Sequence, residues 1–325
     1  MRYVGILSGI TVGLTVAAMA GCAAPQSGVG AGQTTDVAPQ TGPASGQADY
    51  PTTAAAIQDL AAAAQSGDKT QLRRVLGPAL DDLTSGDADV EATGMKRFAQ
   101  RLTDKSSVEQ NPDGTATMYI GQNQWPFPIP LEKDQADKWY FDTVAGEPQV
   151  WARRVGRNEL DVIAICQEYV AAQQEYVQHD WDNDGIVAYA RHFMSTPGKK
   201  DGLYWKAASF ADQSPLGPLV AEASQEGYFG ASHQKGEPFH GYHFHILTKQ
   251  GSHAPGGAYN YVVNGNMVGG FALIAWPADY GHSGVMTFEV NQNGRIYQKD
   301  LGEKTDAKAR AVTAYDPDAT WSVVK

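Results

Sequence analysis

Residues Asp180-Trp181-Asp182-Asn183-Asp184-Gly185 set three carboxylates at alternating positions ahead of a glycine. Hard oxygen ligands in that order open a calcium loop, and the glycine permits the tight turn around the ion. The bidentate glutamate that closes such a loop at its twelfth position is replaced by Arg191. A seventh ligand must then come from elsewhere, and the hexapeptide also reads as an acidic turn that ends a helix. His243 and His245 are alternate residues of one expected strand, so both imidazoles project from one face while Tyr242, Phe244 and Ile246 take the other. With His240 or His282 as third ligand they would suit a transition metal; solvated strand histidines are the competing reading. Trp181, Tyr204 and Trp205 offer aromatic faces on which a glycan ring can stack, with the aspartates as acid-base partners, although aromatics set among small residues more often fill a core. Gly281-His282-Ser283-Gly284 has the outline of a hydrolase nucleophile elbow, but Val285 stands at the second required glycine and a strand follows instead of a helix. Ser283 is therefore set aside as a nucleophile. Cys166 lies in an apolar helical stripe and reads as a small buried hydrophobe. His-Glu-x-x-His, paired Cys-x-x-Cys and phosphate-loop motifs are absent from the sequence.

These residues need a scaffold, and the composition supplies one. The chain has 325 residues, 42% hydrophobic and 19% charged, which excludes a disordered or collagen-like polymer. Its net charge of -11 repels phosphate backbones, so nucleic acid is excluded as a partner. Residues 3–20 carry no charge, follow Arg2 and run into Ala20-Gly21-Cys22. That is a secretory signal over residues 1–21. Met19-Ala20-Gly21-Cys22 resembles the bacterial lipobox, with Met at the position usually held by Leu. The resemblance implies cleavage before Cys22, acylation of its sulfur and amine, and stable attachment to a lipid bilayer through more than one chain. Lipidation of Cys22 leaves Cys166 without a disulfide partner in the mature chain. Ala23 after the cysteine implies, under the sorting rule of such lipoproteins, the periplasmic face of an outer membrane. From residue 22 to 49 the chain is rich in Ala, Gly, Pro, Gln and Ser without apolar periodicity, a flexible tether.

Two folded units are expected after the tether, at residues 50–146 and 147–325. In the first, Thr52 or Thr53 caps a helix carrying Ile57, Leu60 and Ala64; Asp68 and Gln71 have capping-box spacing ahead of Leu72, Val75 and Leu76; and Met95, Phe98 and Leu102 mark a third helix. Strands follow at residues 107–110 and 115–120, flanking the turn Asn111-Pro112-Asp113-Gly114. Trp125-Pro126-Phe127-Pro128-Ile129-Pro130-Leu131 places prolines at even and apolar side chains at odd positions, which predicts an edge strand with one edge blocked; a polyproline II docking segment is the alternative. Residues 138–142 complete this sheet. The second unit opens with one long helix from about residue 146 to 178, with Leu160, Ile163, Cys166, Val170 and Val177 as its stripe. Short helical pieces are expected at 188–194 and 218–224, then four strands at 240–249, 269–276, 285–291 and 295–301, and a closing helix over 305–315.

The runs Trp125 to Leu131, Gly156-Arg-Asn-Glu-Leu160, Ser195-Thr-Pro-Gly-Lys-Lys-Asp-Gly-Leu-Tyr-Trp205, Ser214-Pro-Leu-Gly-Pro-Leu-Val220 and Gly269-Gly-Phe-Ala-Leu273 resemble the bacterial envelope lipoproteins grouped as domain-of-unknown-function family 2950. So do Ser283-Gly-Val-Met-Thr-Phe288 and Tyr297-Gln-Lys-Asp-Leu-Gly302. The fold class expected is α+β. The first unit's helices and bent antiparallel sheet resemble nuclear-transport-factor-2-like proteins, and the second unit's long helix on a four-stranded antiparallel meander resembles the globular head of type IV pilins. The resemblance implies an envelope lipoprotein without an assigned reaction. The function expected is non-enzymatic binding or assembly with an unknown envelope protein or glycan, with Ca2+ as the one cofactor in view; an envelope hydrolase acting on glycan or peptidoglycan is the alternative.

Overall fold

Two hydrophobic cores share one long helix. The computed structural model describes residues 42–84, 88–181, 183–209, 212–217, 219–220 and 237–325. Expectations for the signal, Cys22 and most of the tether lie outside these residues, as do Asp182 and most of the helix expected at 218–224.

The first core forms where local signals are strongest. Thr52 caps α1 (Thr53–Ser66) by accepting the Ala55 N–H at 3.2 Å, and Gly67 ends it in a left-handed conformation. Asp68 accepts the Thr70 N–H at 2.8 Å to open α2 (Lys69–Leu76), which Gly77 ends. A 3-10 turn over Pro78–Leu83 leads toward α3 (Ala88–Asp104). Leu60, Val75 and Leu102 are buried together with Met118, Ile120 and Leu131 of a sheet whose strands are β1 (Ser106–Gln110), β2 (Ala116–Ile120), β3 (Trp125–Pro126), β4 (Leu131–Lys133) and β5 (Trp139–Phe141).

The proline segment does not form the expected edge strand. Trp125 and Pro126 pair with the end of β2, the Phe127 N–H reaches the Met118 carbonyl at 2.7 Å, and Leu131 rejoins β2 opposite Ala116. Four residue steps on this strand thus span two on β2, a bulge at Pro128-Ile129-Pro130 that coincides with the missing donors. β4 then lies inside the order β1-β2-β4-β5, Trp125–Pro126 pairs with β2 alone, and Trp139 of β5 is bridged on its other side by Tyr50.

The long helix α4 (Thr143–Tyr176) starts a turn earlier than expected because Asp142 caps it, accepting the Ala145 N–H at 2.9 Å. Pro148 consequently sits inside the helix instead of at its first turn. Gly146 crosses the bulge so closely that a Cβ there would lie 2.7 Å from Ile129 Cα. The buried stripe also differs from expectation. Val162, Ile165, Cys166, Tyr169, Ala172, Gln173 and Tyr176 face inward, while Leu160 is 69% exposed. Two tyrosines and a glutamine complete a face that aliphatic spacing alone misplaces. The Gln173 amide is satisfied, donating to the Ala190 carbonyl at 2.8 Å and accepting the Ala190 N–H at 2.9 Å.

In the second core, residues 188–194 are an irregular segment, not a helix; Tyr189 bridges Met267 and Met194 bridges Tyr204. The expected meander forms as β6 (Tyr242–Leu247), β11 (Ala272–Pro277), β12 (Met286–Asn291) and β13 (Ile296–Asp300). Between β6 and β11 run the short β7 (Lys249–Gln250), β8 (Tyr259–Asn260), β9 (Val262–Val263) and β10 (Asn266–Met267). The closing helix α5 covers only Thr305–Arg310, and β14 (Ser322–Val323) adds a fifth strand in the order β14-β13-β12-β11-β6. The architecture is α+β with antiparallel sheets. No helix among the described residues is long and apolar enough to cross a membrane.

Gly156 to Leu160 joins the two halves. Glu159 Oε1 accepts the N–H groups of Val285 and Met286, each at 2.9 Å, and Asn158 Nδ2 donates to the Ser283 carbonyl at 2.8 Å. At Gly241 a Cβ would meet Asn158 Nδ2 at 2.6 Å, so only glycine lets β6 enter beneath this clasp.

Candidate functional site

The acidic turn is built from its own carboxylates. Asp180 Oδ2 accepts the Gly185 N–H at 2.9 Å, Asp184 Oδ1 accepts the Ile186 N–H at 2.8 Å, and Asp184 Oδ2 accepts the Asn266 side-chain amide at 2.9 Å. Asn183 and Gly185 take left-handed conformations to close the turn. Asp182 lies outside the described residues. Among the described residues, no three His, Cys, Asp or Glu side chains gather as a metal-binding group.

Trp181 and Trp205 do come together, 4.9 Å between ring centroids. Their faces are already in use. Lys200 Nζ lies 4.8 Å from the Trp181 ring and 5.1 Å from that of Trp205, and it pairs with Asp212 at 2.6 Å. Trp181 donates its indole N–H to the Tyr176 carbonyl at 2.9 Å, at the end of α4, and Trp205 donates to the Asp212 carbonyl at 2.9 Å. Trp205 is 8% exposed and Tyr204 half-buried. The surface expected at Trp205 is therefore a packed cluster that anchors the 195–205 segment to the end of the long helix.

Of the four histidines, His240 and His282 pair with separate carboxylates. His243 lies over Trp276 at 5.6 Å; the Trp276 indole donates to Asp306 Oδ1 at 2.9 Å, and Arg310 Nε donates to the same carboxylate at 2.8 and 2.9 Å. His245 is exposed one pleat further along β6. His240 pairs with Asp161 at 3.0 Å, and His282 pairs with Asp279 at 3.1 Å while stacking on Trp151 at 4.4 Å. Ser283 donates its hydroxyl to the Asp279 carbonyl at 3.0 Å, which makes it a turn residue. An open cavity of about 280 Å³ lies beside this turn, lined by Pro277, Ala278, Asp279, Tyr280, Glu303 and Asp306. Cys166 is fully buried, and burial pushes its thiol up to about 12, so a reactive thiolate is suppressed.

Two features escaped sequence reasoning. The first is a set of exposed apolar side chains beside the acidic turn. Ile186, Val187, Val263 and Val268 are each 44 to 53% exposed, on two segments laced by the Tyr189 N–H to Met267 carbonyl bond at 2.8 Å and by the Asp184–Asn266 contact. Arg191 adds a bond to the Gly265 carbonyl at 3.2 Å. β-Branched residues in a turn region carry no periodicity, so only their exposure reveals them. The second is Glu289, 2% exposed at the centre of β12, whose carboxyl burial pushes up to about 8. Its alternation with Phe288 and Val290 places it on the sheet face opposite theirs, covered by α5 and the C-terminal segment.

A family model described as Protein of unknown function (DUF2950) matches residues 47–324. No curated protein and no solved structure matches the chain.

Proposed function

We propose, from the premise that the chain belongs to the DUF2950 family, that it is a lipid-anchored envelope protein that works by binding another envelope component. The signal, the lipobox-like Cys22 and the tether up to residue 49 support the location. The observation that carries the binding reading is the exposure of Ile186, Val187, Val263 and Val268 on two hydrogen-bonded segments. Contiguous exposed apolar residues on a well-bonded frame mark interaction sites, because leaving them in water forgoes about 25 cal/mol per Å². The bonds from residues 184–191 to Gly265 and β10 reduce the ordering needed on association, so more of the burial energy is retained as affinity. The finer likenesses, nuclear-transport-factor-2-like for the first half and pilin-like for the second, belong to this reading as well: both describe scaffolds that present a surface, and neither assigns chemistry.

A photoreactive side chain placed at Val187 or Val263 in cells tests it. The expected result is one crosslinked partner common to both positions and missing from a control position on the edge strand β1, such as Ser107. Equal labelling from all three positions, or a defined turnover reaction by the purified protein, would overturn the proposal.

A further inference from the structure

Glu289 lies between Ile274 of β11 and Tyr297 of β13, and the C-terminal segment crosses above it. Its Oε2 accepts the Asp316 N–H at 3.4 Å, a long bond for a buried carboxyl. The Asp316 carboxylate turns the other way, accepting the His253 N–H at 2.7 Å and lying 2.9 Å from His253 Nδ1. Tyr315 is buried beside them, its N–H donating to the Lys249 carbonyl at 3.0 Å and its carbonyl accepting the Gly251 N–H at 2.9 Å. Further along, Thr320 accepts from Lys299 Nζ at 2.6 Å, and Val323 and Ser322 pair with Tyr297 and Gln298 as strand β14. The segment is therefore a strap: it crosses one face of the sheet and then becomes its edge.

The titratable groups around Glu289 come from each element packed on it. β13 brings Tyr297 and Lys299, the strap brings Tyr315, Asp316 and Asp318, the connection from β7 to β9 brings His253 and Tyr261, β11 brings uncharged Ile274, and α5, packed on β11, brings Asp306 and Arg310, which pair with each other at Trp276. Two further carboxylates against one lysine leave an ionised Glu289 poorly compensated. We propose that residues 315–323 form a proton-controlled strap, lying over Glu289 and tied by Asp316 to His253, which loosens as the pH rises because burial beneath it disfavours an ionised Glu289.

The two titrations act in one direction. Burial holds Glu289 protonated to about pH 8, whereas an opened strap returns it toward its ordinary value of 4.5. Between those limits each pH unit favours opening by up to about tenfold. His253, raised by its hydrogen bond to Asp316, loses its charge as the pH climbs past its folded value, removing the ion pair.

Amide hydrogen exchange on the full chain, corrected for intrinsic rates, tests this at the Tyr315, Asp316 and Val324 amides between pH 5 and 8. In the wild type the opening of these amides should rise on the order of tenfold per pH unit, with β11 and β12 unchanged. In Glu289→Gln the rise should vanish below the His253 titration and shrink above it. Should that variant not fold, Glu289→Leu, which removes the polar group, serves for the same comparison. A wild-type strap with no pH slope, or an equal slope in the Glu289 variant, overturns the proposal.

Discussion

Removing the Glu159 carboxylate should uncouple the two cores. Its Oε1 takes two backbone N–H groups, from Val285 and Met286, both at 2.9 Å. Glu159→Ala deletes the acceptor and leaves two part-buried donors without a protein partner. At about 1 to 3 kcal/mol for each of the two unsatisfied donors, the loss should be about 2 to 6 kcal/mol. Glu159→Gln keeps an oxygen acceptor and loses only the charge assistance, so it should cost about 1 kcal/mol or less. The two cores are otherwise joined near this point by Asn158 to Ser283 and by the Trp151–His282 stack. Urea unfolding followed by far-ultraviolet circular dichroism and by tryptophan fluorescence provides the assay. Coincident curves are expected for the wild type and Glu159→Gln, and separated midpoints for Glu159→Ala, the mark of a broken two-state transition. If Glu159→Ala unfolds within about 0.5 kcal/mol of wild type with coincident curves, the clasp contributes nothing and the reasoning fails.

Other outcomes follow from the same geometry. Glu289→Gln should stabilise the protein at neutral pH: a raised folded pKa gives stability that is complete below about 4.5 and is lost as the pH rises toward 8. The interval from 4.5 to 7 sets a ceiling of about 3 to 4 kcal/mol on the gain at neutral pH, read as a flattened profile of urea midpoint against pH. Gly284→Ala should be destabilised by more than about 2 kcal/mol, since its Cβ would overlap the fully buried Tyr242 ring, whose hydroxyl is held to the Met286 carbonyl at 3.0 Å. Calcium should raise the melting temperature with an affinity on the order of 0.1 to 1 mM, worth about 2.7 kcal/mol at a hundredfold excess, and an equal rise in the Asp182→Asn, Asp184→Asn double variant would reduce the loop to an acidic turn. Cys22→Ser should move the protein from the membrane fraction to the soluble one and remove the acyl mass; unchanged partitioning and mass would refute lipidation.

What the sequence made legible was local. Thr52, Asp68 and Gly67 announce helix ends because capping is chemistry within four residues; the strand around Ile274 announces itself by an uninterrupted apolar run and that around Val290 by the alternation of Met286, Phe288 and Val290. The proline segment misled because the alternation of Phe127, Ile129 and Leu131 is real, yet the donors lost at Pro128 and Pro130 are absorbed in a bulge, a choice made by β2 and β5 on either side. The same limit governs the α4 stripe: Leu160 has helical spacing and apolar chemistry, but its direction meets solvent because the clasp of Asn158 and Glu159 occupies the neighbouring face.

The candidate site shows that limit most clearly. Trp181 and Trp205 were legible as aromatics, but whether an indole face is a platform or a filler depends on Lys200, which reaches both rings while tethered to Asp212. Glu289 was invisible for a complementary reason. In Met286-Thr-Phe-Glu-Val-Asn291 a glutamate alternating with Phe288 and Val290 fits the polar side of a half-solvated strand, and sequence periodicity assigns that side to water. The strap reverses the assignment by covering the polar side with Tyr315 and Asp316, brought from about 25 residues away along the chain. A carboxyl thus becomes buried through a segment whose own sequence carries no sign of the contact, and burial of this kind leaves a group whose charge is set by whether the covering segment stays in place.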